Sequence, residues 1–253
     1  MSATRLLIAT LLLATLSGAA FATDYWGRML PGQPTDFIFG YGSLIDTASR
    51  NATAGRPTLA IPVRVSAAFG YVRTWDDRAS TGFTALGLAR AGPGEPAMTI
   101  NGVLFPVEAG DLSAFDARES GYARIEVPRD DIEALSWERL PLQGRIWVYI
   151  PEISGKAPGV DLPQPNASFP LLQSYIDVVM EGGLEYGSEF AREIIETTEG
   201  WSRYWLNDRA FGRRPWMLGK RSSMVDGLLA AFAPHFNDRL FPEQYVVERL
   251  LAK

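Results

Sequence analysis

The stretch FIFGYGSL, residues 37–44, joins an apolar run to two glycines that flank a tyrosine. The run from Phe37 to Phe39 predicts a buried strand, and the glycines predict a tight turn at its end. Glycine lets backbone N–H groups face a concavity that can hold an anionic group or a polarised carbonyl. Taken alone, however, such a turn after a strand is more often structural than functional.

Short strand candidates continue along the chain after this stretch. Each is rich in valine, isoleucine, threonine or aromatic residues and is bounded by glycine or proline. They lie at residues 59–68, 70–75, 84–90, 99–107, 122–127 and 145–150. Between two of them, Leu112, Phe115 and Arg118 are spaced as on one face of a short helix, which Gly121 would stop. The pattern predicts an α+β fold built on a small mixed β-barrel or sheet.

The last hundred residues are predicted to be helical. A connector rich in glycine and proline, residues 151–170, leads to a helix that begins near Pro170 and is expected to end at Gly182 and Gly183. Ser223 and Asp226 predict a capping box for a later helix. Further helices are predicted at residues 188–198 and after residue 242. We therefore expect a core at residues 23–150 and a connector with a helical extension packed on it at residues 151–253.

The first 22 residues have the layout of a secretory signal peptide. Arg5 precedes an apolar run from Leu6 to Leu16, and small residues end it. The run is shorter than the ~20 residues that a spanning helix needs. Cleavage is predicted before Thr23, which would leave a periplasmic or secreted protein with no stable membrane anchor.

The composition restricts the chemistry that is open to this chain. Among 253 residues there is no cysteine and a single histidine, His235, so disulfides, thiolate nucleophiles and multi-histidine metal sites are not expected. A formal net charge of −5 without any basic run argues against a nucleic-acid partner. Catalysis must therefore use carboxylates, hydroxyls, arginine, lysine or backbone groups.

A second stretch, FDARESGYARIEV at residues 115–127, carries charged groups around an aromatic hydroxyl. Within it, Glu119 can lie near the Tyr122 hydroxyl and between the guanidiniums of Arg118 and Arg124. An ordinary solvated helix end with surface ion pairs explains the same residues, and such pairs contribute little to stability. Considered alone, this stretch slightly favours the structural interpretation.

Together, and in this order, the two stretches resemble the paired signatures of the gamma-glutamylcyclotransferase superfamily: YGSL after a strand, then a glutamate followed by a GYxR segment. Residues 70–75 (GYVRTW), 93–94 (PG) and 102–105 (GVLF) are similar to the corresponding strands of that family. Residues 170–187 and 197–209 resemble the carboxy-terminal extension of a bacterial branch. The resemblance covers most of the chain after residue 22 and is more specific than either motif.

The resemblance implies an enzyme that releases 5-oxoproline from a small gamma-glutamyl compound, whose own α-amine attacks its γ-carbonyl. Because the nucleophile belongs to the substrate, neither a metal nor a cofactor is implied. Glu119 is the implied general acid and base, and partial burial is expected to raise its pKa. The implied substrate-binding residues are Tyr41, Gly42, Ser43, Leu44 and Tyr122.

Two other classes of protein stay open. One is a catalytically silent protein that binds a gamma-glutamyl or peptidoglycan-derived ligand on the same fold. The other is a hydrolase with Asp116 and Glu119 as a carboxylate pair, although residues three apart on a helix lie too close for most two-carboxylate mechanisms. Arg73 and Arg124 are as consistent with bracing the sheet as with binding. The sequence identifies neither the amine that the reaction would release nor the oligomeric state.

Overall fold

A computed structural model of the protein describes residues 26–94, 96–108, 110–152, 162–211 and 220–240. The predicted signal peptide, part of the predicted connector and the helix predicted after residue 242 lie outside the described residues. Within these ranges, no helix combines the length and the apolar character needed to cross a membrane.

The described residues form an α+β fold, which confirms the predicted class. The longer strands are β1 (Asp36–Gly40), β2 (Ile61–Val65), β3 (Tyr71–Ala79), β4 (Phe83–Arg90), β5 (Ile100–Val107), β6 (Tyr122–Glu126), β7 (Ile132–Ala134) and β8 (Arg145–Pro151). Six of them form one mixed, open sheet in the order β6-β8-β1-β5-β2-β7. In this sheet β1 pairs antiparallel with β5 and parallel with β8. Of the two predicted forms, barrel or sheet, the open sheet is present.

The unbroken apolar sequence of β1 explains its central place. Phe37, Ile38 and Phe39 are each exposed by 1% or less. A strand that is covered on both faces needs a continuous apolar run, whereas a strand with one solvated face alternates. β2 alternates in this way between buried and half-buried residues. The turn after Gly40 therefore leaves from the middle of the sheet, where neighbouring elements surround it.

A smaller sheet contains β3, β4 and β10 (Thr198–Glu199) in the order β10-β3-β4. β3 and β4 pair antiparallel, and a register shift between Trp75 and Asp77 leaves Asp76 as an extra residue. A bulge of this kind redirects the side chains next to it. β10 comes from the carboxy-terminal part of the chain and pairs parallel with β3. That part therefore completes a sheet of the amino-terminal region.

The helices are α1 (Thr47–Ala54), α2 (Leu112–Arg118), α3 (Gln173–Leu184), α4 (Ser188–Glu196) and α5 (Ser222–Phe232). α2 and α4 lie close to their predicted positions. α3 begins later than predicted, because Leu171 and Leu172 form a short strand, β9 (Leu171–Leu172), that pairs with β11 (Trp205–Leu206). Backbone pairing at this site replaces the first predicted helical turn.

The predicted capping box of α5 is wrong. The residue at its N-cap is Arg221, without a side-chain cap. The Asp226 carboxylate instead accepts a hydrogen bond from Arg209 Nη1 at 2.8 Å. An ion pair with a distant segment thus outweighs the local cap, since a charge-assisted hydrogen bond is the stronger of the two.

The prediction that Gly182 and Gly183 end α3 is also wrong, because both lie inside the helix. A Cβ atom on Gly182 would lie 2.5 Å from the backbone nitrogen of Asp46 and 2.7 Å from the Ile45 carbonyl carbon. The glycine allows α3 to pack directly on the backbone that follows the 41–44 turn. Tertiary packing, rather than helix termination, explains this glycine.

We expect Gly182→Ala to lower the free energy of unfolding by about 1–3 kcal/mol, because the added methyl group meets backbone atoms that cannot move independently. Gly227→Ala is the matched control: Gly227 also lies within a helix, α5, but has open space around a Cβ atom. Alanine there should stabilise the protein by about 0.5–1 kcal/mol. Denaturant midpoints that shift in the same direction for both variants would contradict the packing explanation.

Candidate active site

The glycine turn, residues 41–44, folds back tightly at the end of β1. A Cβ atom on Gly40 would lie 2.8 Å from the Leu44 Cβ atom, so a larger residue would not fit there. The Ile45 N–H donates to the Gly42 carbonyl at 2.9 Å and closes a short 3-10 turn. Asp46 then caps α1 by accepting from the Ser49 N–H at 2.7 Å. Strand, turn and capped helix together hold the turn in place.

This turn forms one wall of a cavity, and every predicted site residue lines it. The α2 end and β6 contribute Glu119 and Tyr122, and further side chains come from β4, β8 and α3. The residues that line the cavity are Phe39, Gly40, Tyr41, Gly42, Ser43, Leu44, Leu86, Glu119, Tyr122, Tyr149 and Tyr175. The fold thus brings together two motifs that are far apart in the sequence.

Glu119 is held at the carboxyl end of α2. Its N–H donates to the Phe115 carbonyl at 2.9 Å, and its side chain is only 17% exposed. The Arg118 Nε atom lies 3.0 Å from Glu119 Oε1. Burial raises the pKa of the Glu119 carboxyl, the Arg118 charge partly opposes this, and the charge of Asp77 adds to the rise. The direction confirms the sequence-based expectation for its pKa.

Arg118 connects the carboxylate to the glycine turn, a role that the sequence did not reveal. Its guanidinium donates to the Ser43 hydroxyl at 2.9 Å and to the Ser49 hydroxyl at 2.9 Å. It also donates to Thr53 Oγ1 at 2.5 Å. One side chain therefore joins α2, the turn and α1, and fixes Glu119 relative to Ser43. The signal in the sequence that could have indicated this role is that Arg118 directly precedes Glu119.

Tyrosine side chains form much of the remaining wall. The Tyr41 hydroxyl donates to the Tyr149 carbonyl at 2.8 Å, and the Tyr122 hydroxyl donates to the Leu86 carbonyl at 3.2 Å. Burial raises the pKa of Tyr41 and Tyr122 well above the usual range, and that of Tyr175 to about 12. These phenols are therefore neutral and protonated at physiological pH.

Tyr149 and Tyr175 were not predicted as site residues. Tyr149 comes from β8, outside the two motifs of the site. Tyr175 comes from α3, in the stretch 170–187, whose resemblance to a carboxy-terminal extension assigned it no role in the site. Tyr175 stands 3.5 Å from where a Cβ atom of Gly42 would be, so the carboxy-terminal part of the chain reaches the cavity. Only the packing of α3 against the turn reveals this residue.

Asp77 was also missed, although it lies beside the site. It follows the bulge in β3 and hydrogen-bonds with Tyr122, and burial raises the pKa of its carboxyl. Its charge also contributes to the raised pKa of Glu119. Two partly buried carboxyls thus act on one another near the cavity, and each favours the protonated form of the other.

Arg73 braces the turn from behind. It is fully buried and donates to the Tyr41 carbonyl at 3.2 Å, to the Asn101 carbonyl and side chain at 2.8 Å each, and to the Thr198 hydroxyl at 2.9 Å. Burial lowers its pKa to about 9, so the guanidinium is still protonated at neutral pH. Arg124 lies further out, with its Nε atom 3.1 Å from Asp116 Oδ1. Both arginines have the bracing role that the sequence left open.

Nothing in the described part of the chain suggests a metal centre. Across those residues, no cluster of three or more histidine, cysteine, aspartate or glutamate side chains could hold a metal ion. The groups in the cavity that can take part in binding or catalysis are a carboxylate, a serine hydroxyl, phenols and the backbone of the glycine turn.

No family model and no curated protein matches the chain. Solved structures that are similar to it include a gamma-glutamyl cyclotransferase, with 16% identity, a TM-score of 0.42 and coverage of 62% of this chain and 85% of the other. A yeast gamma-glutamyl cyclotransferase specific to glutathione matches with 14% identity and a TM-score of 0.33, over 79% of this chain and 97% of the other.

An Arabidopsis thaliana protein whose structure was determined in solution matches with 17% identity and a TM-score of 0.32, over 48% of this chain. The match spans 66% of that protein. The two cyclotransferases belong to the superfamily that residues 39–44 and 115–127 resemble. Because these TM-scores are below 0.5, the case for a function depends on the geometry of the cavity itself.

Proposed function

We propose that this protein is a gamma-glutamylcyclotransferase-like enzyme that converts a small gamma-glutamyl compound to 5-oxoproline and a free amine. The observation that carries the proposal is the partly buried Glu119 carboxyl in a cavity that the glycine turn, residues 41–44, also lines. Its proposed location is periplasmic or secreted, on the evidence of residues 1–22.

The hydrogen-bonding groups of the cavity suit an α-amino acid head. The Ser43 hydroxyl accepts from Arg118, so its own proton is available to a ligand, and residues 41–44, which line the cavity, also carry backbone N–H groups. These donors suit the α-carboxylate or a developing oxyanion. On the other side, Glu119 and the phenol oxygens are acceptors, which suit the α-ammonium group. A cavity with donors for a carboxylate and acceptors for an ammonium group supports a ligand that carries both a negative and a positive charge.

The reaction needs one group that can both take and give a proton. Glu119 takes a proton from the α-ammonium group, and the freed amine attacks the γ-carbonyl carbon. A carbon–nitrogen bond forms in the ring, and the bond to the leaving nitrogen breaks as Glu119 returns the proton to that nitrogen. The ring nitrogen then gives up its second proton to the released amine, which leaves as an ammonium ion. Holding the chain curled can supply several of the roughly 7–11 kcal/mol available from proximity. No external nucleophile enters the reaction.

Each alternative makes a different use of the same residues. For a carboxylate-pair hydrolase, Asp116 would have to share the cavity with Glu119, but its side chain is bound by Tyr149 and Arg124 and does not line the cavity. A silent binding protein has no need for a buried carboxyl with a raised pKa at 119. Both observations favour the enzyme.

The proposal can be tested by incubating the purified mature protein with a panel of gamma-glutamyl amino acids, gamma-glutamylamines and glutathione and measuring 5-oxoproline. N-glutaryl analogues, which lack the α-amine, are the matched control compounds and should give no cyclic product. Free glutamate as the product would indicate hydrolysis instead. Binding without any product would indicate the silent binding protein.

The pH dependence of the reaction should report the raised pKa of Glu119. The reaction begins from the carboxylate form, so kcat/KM should fall as the pH drops through a pKa above the ordinary glutamate value of 4.5. Because Arg118 lowers this pKa, Arg118→Gln should move the acidic limb to higher pH. An acidic limb that is unchanged in Arg118→Gln, in protein with an intact circular dichroism spectrum, would contradict this assignment.

A further inference from the structure

Tyr149 has a defined hydrogen-bond direction at the cavity wall. It is 4% exposed, lines the cavity, and donates its hydroxyl proton to Asp116 Oδ1 at 2.8 Å. Its hydroxyl is close enough to Glu119 for the two groups to influence one another electrostatically. Tyr149 and the proposed base therefore line the same cavity and are coupled electrostatically.

Asp116 is itself held in place from outside the cavity. Its Oδ1 atom also accepts from Arg124 Nε at 3.1 Å, and the Arg124 guanidinium lies 4.7 Å from the centre of the Trp147 ring. An ionised carboxylate can only accept hydrogen bonds. Tyr149 must therefore be the donor in its hydrogen bond with Asp116, and its proton points away from the cavity. Arg124 holds the Asp116 carboxylate in the position where it accepts this bond.

A phenol has a single proton to donate. With that proton committed to Asp116, the Tyr149 oxygen can only accept from a ligand. The Tyr41 hydroxyl is committed in the same way, to the backbone carbonyl of Tyr149. This wall therefore presents oxygen acceptors, which suit an ammonium group and disfavour a second carboxylate.

We propose that Asp116 is a positioning residue, which keeps the Tyr149 hydroxyl as an acceptor for the α-ammonium group of the substrate. This proposal rests on the proposed function, because it takes the α-ammonium group from the proposed substrate class. Asp116 does not touch the substrate and acts through Tyr149 alone. It explains why a half-exposed aspartate three residues before Glu119 is tied to both a cavity phenol and an arginine.

Asp116→Leu tests the proposal, because leucine has a similar size but cannot accept a hydrogen bond, which leaves the phenol proton free to turn toward the cavity. Asparagine is unsuitable, since Tyr149 and Arg124 both contact Oδ1 and an amide oxygen there would still accept from them. Binding is measured by calorimetry on the full mature chain in a Glu119→Gln background, which suppresses turnover. The probes are gamma-glutamylalanine and N-glutarylalanine, which differ only in the α-amine. We expect Asp116→Leu to weaken the binding of gamma-glutamylalanine about 10-fold or more, the effect of one charge-assisted hydrogen bond, and to leave the binding of N-glutarylalanine unchanged.

Tyr149→Phe should produce the same selective loss, because it removes the acceptor without touching Arg124. Asp130→Leu, at an exposed aspartate outside the site, is the matched control and should bind both probes as the background protein does. Equal weakening of both probes would make Asp116 a structural residue only and would overturn the proposal. Unchanged binding of both probes would overturn it as well.

The two proposals can fail separately. If the wild-type protein forms 5-oxoproline but Asp116→Leu loses no amine-selective affinity, the positioning role is wrong and the proposed function stands. If the wild type forms no 5-oxoproline but the amine-selective loss appears, the protein recognises an α-amino head without turning it over. In that case the proposed function fails and the role of Asp116 is supported.

Discussion

Replacing Glu119 by Gln is expected to reduce kcat for 5-oxoproline formation about 100- to 10,000-fold, the usual contribution of a positioned general acid or base. Glutamine has nearly the same size as glutamate, and its amide oxygen can still accept from Arg118 Nε. It cannot take a proton from the α-ammonium group or deliver one to the leaving nitrogen. The fold should persist, so the loss should appear in kcat at saturating substrate.

Glu126→Gln is the matched control for this variant. Glu126 lies on β6, the strand that carries Tyr122, but is exposed and outside the cavity. Its replacement should leave kcat within a factor of about two, because a surface substitution changes neither charge placement nor geometry at the site. Equal rates of product formation by the wild type and Glu119→Gln would remove Glu119 from the mechanism.

Replacing Arg73 by Met is expected to lower the free energy of unfolding by about 3–5 kcal/mol. Methionine fills a similar volume but offers no donors, so buried acceptors on Tyr41, Asn101 and Thr198 lose their partner. Each unsatisfied buried polar group costs about 1–3 kcal/mol. Since Arg73 also holds the Tyr41 carbonyl, the glycine turn should become less ordered. Chemical denaturation measures the stability, and hydrogen exchange at residues 41–44 measures the turn.

Arg64→Met is the matched control on neighbouring β2. The Arg64 side chain is 32% exposed and pairs with Glu193 at 2.7 Å and Glu133 at 3.4 Å. The Glu193 contact is bidentate, but both side chains stay partly exposed, so water screens the pair and this variant should lose only about 1 kcal/mol. A cost for Arg73→Met no greater than that for Arg64→Met would show that the buried network contributes little.

Several features of the site depend on three-dimensional contacts that no local pattern encodes. Tyr149 and Tyr175 belong to β8 and α3, distant from both motifs, and only the packing of those elements brings them to the cavity. Asp77 hydrogen-bonds with Tyr122 because a bulge in β3 redirects its side chain. One extra residue in a strand does not change the composition of that strand enough to be predicted. Sequence reasoning therefore identified the two motifs that line the cavity but missed its other walls.

The errors in the helical region have one common cause. Gly182 was interpreted as a helix end, and Asp226 as part of a cap, from local propensities alone. In the structure, Gly182 admits the backbone at Asp46, and Asp226 pairs with Arg209. Both are long-range contacts, and tertiary interactions of this strength override the weak preferences of individual residues.

The sequence by itself determined the α+β class and the central buried strand, because apolar periodicity and glycine act locally along the chain. The pairing of the glycine turn with an acidic motif came from the resemblance to a known superfamily. Only the tertiary structure decided that Glu119 is buried against Arg118, that Arg73 supports the turn, and that α3 closes the cavity with Tyr175. Burial and electrostatic environment depend on residues far apart in the chain. For that reason the hydrogen-bond partners of Glu119, Tyr41 and Tyr149 became visible only in the folded protein.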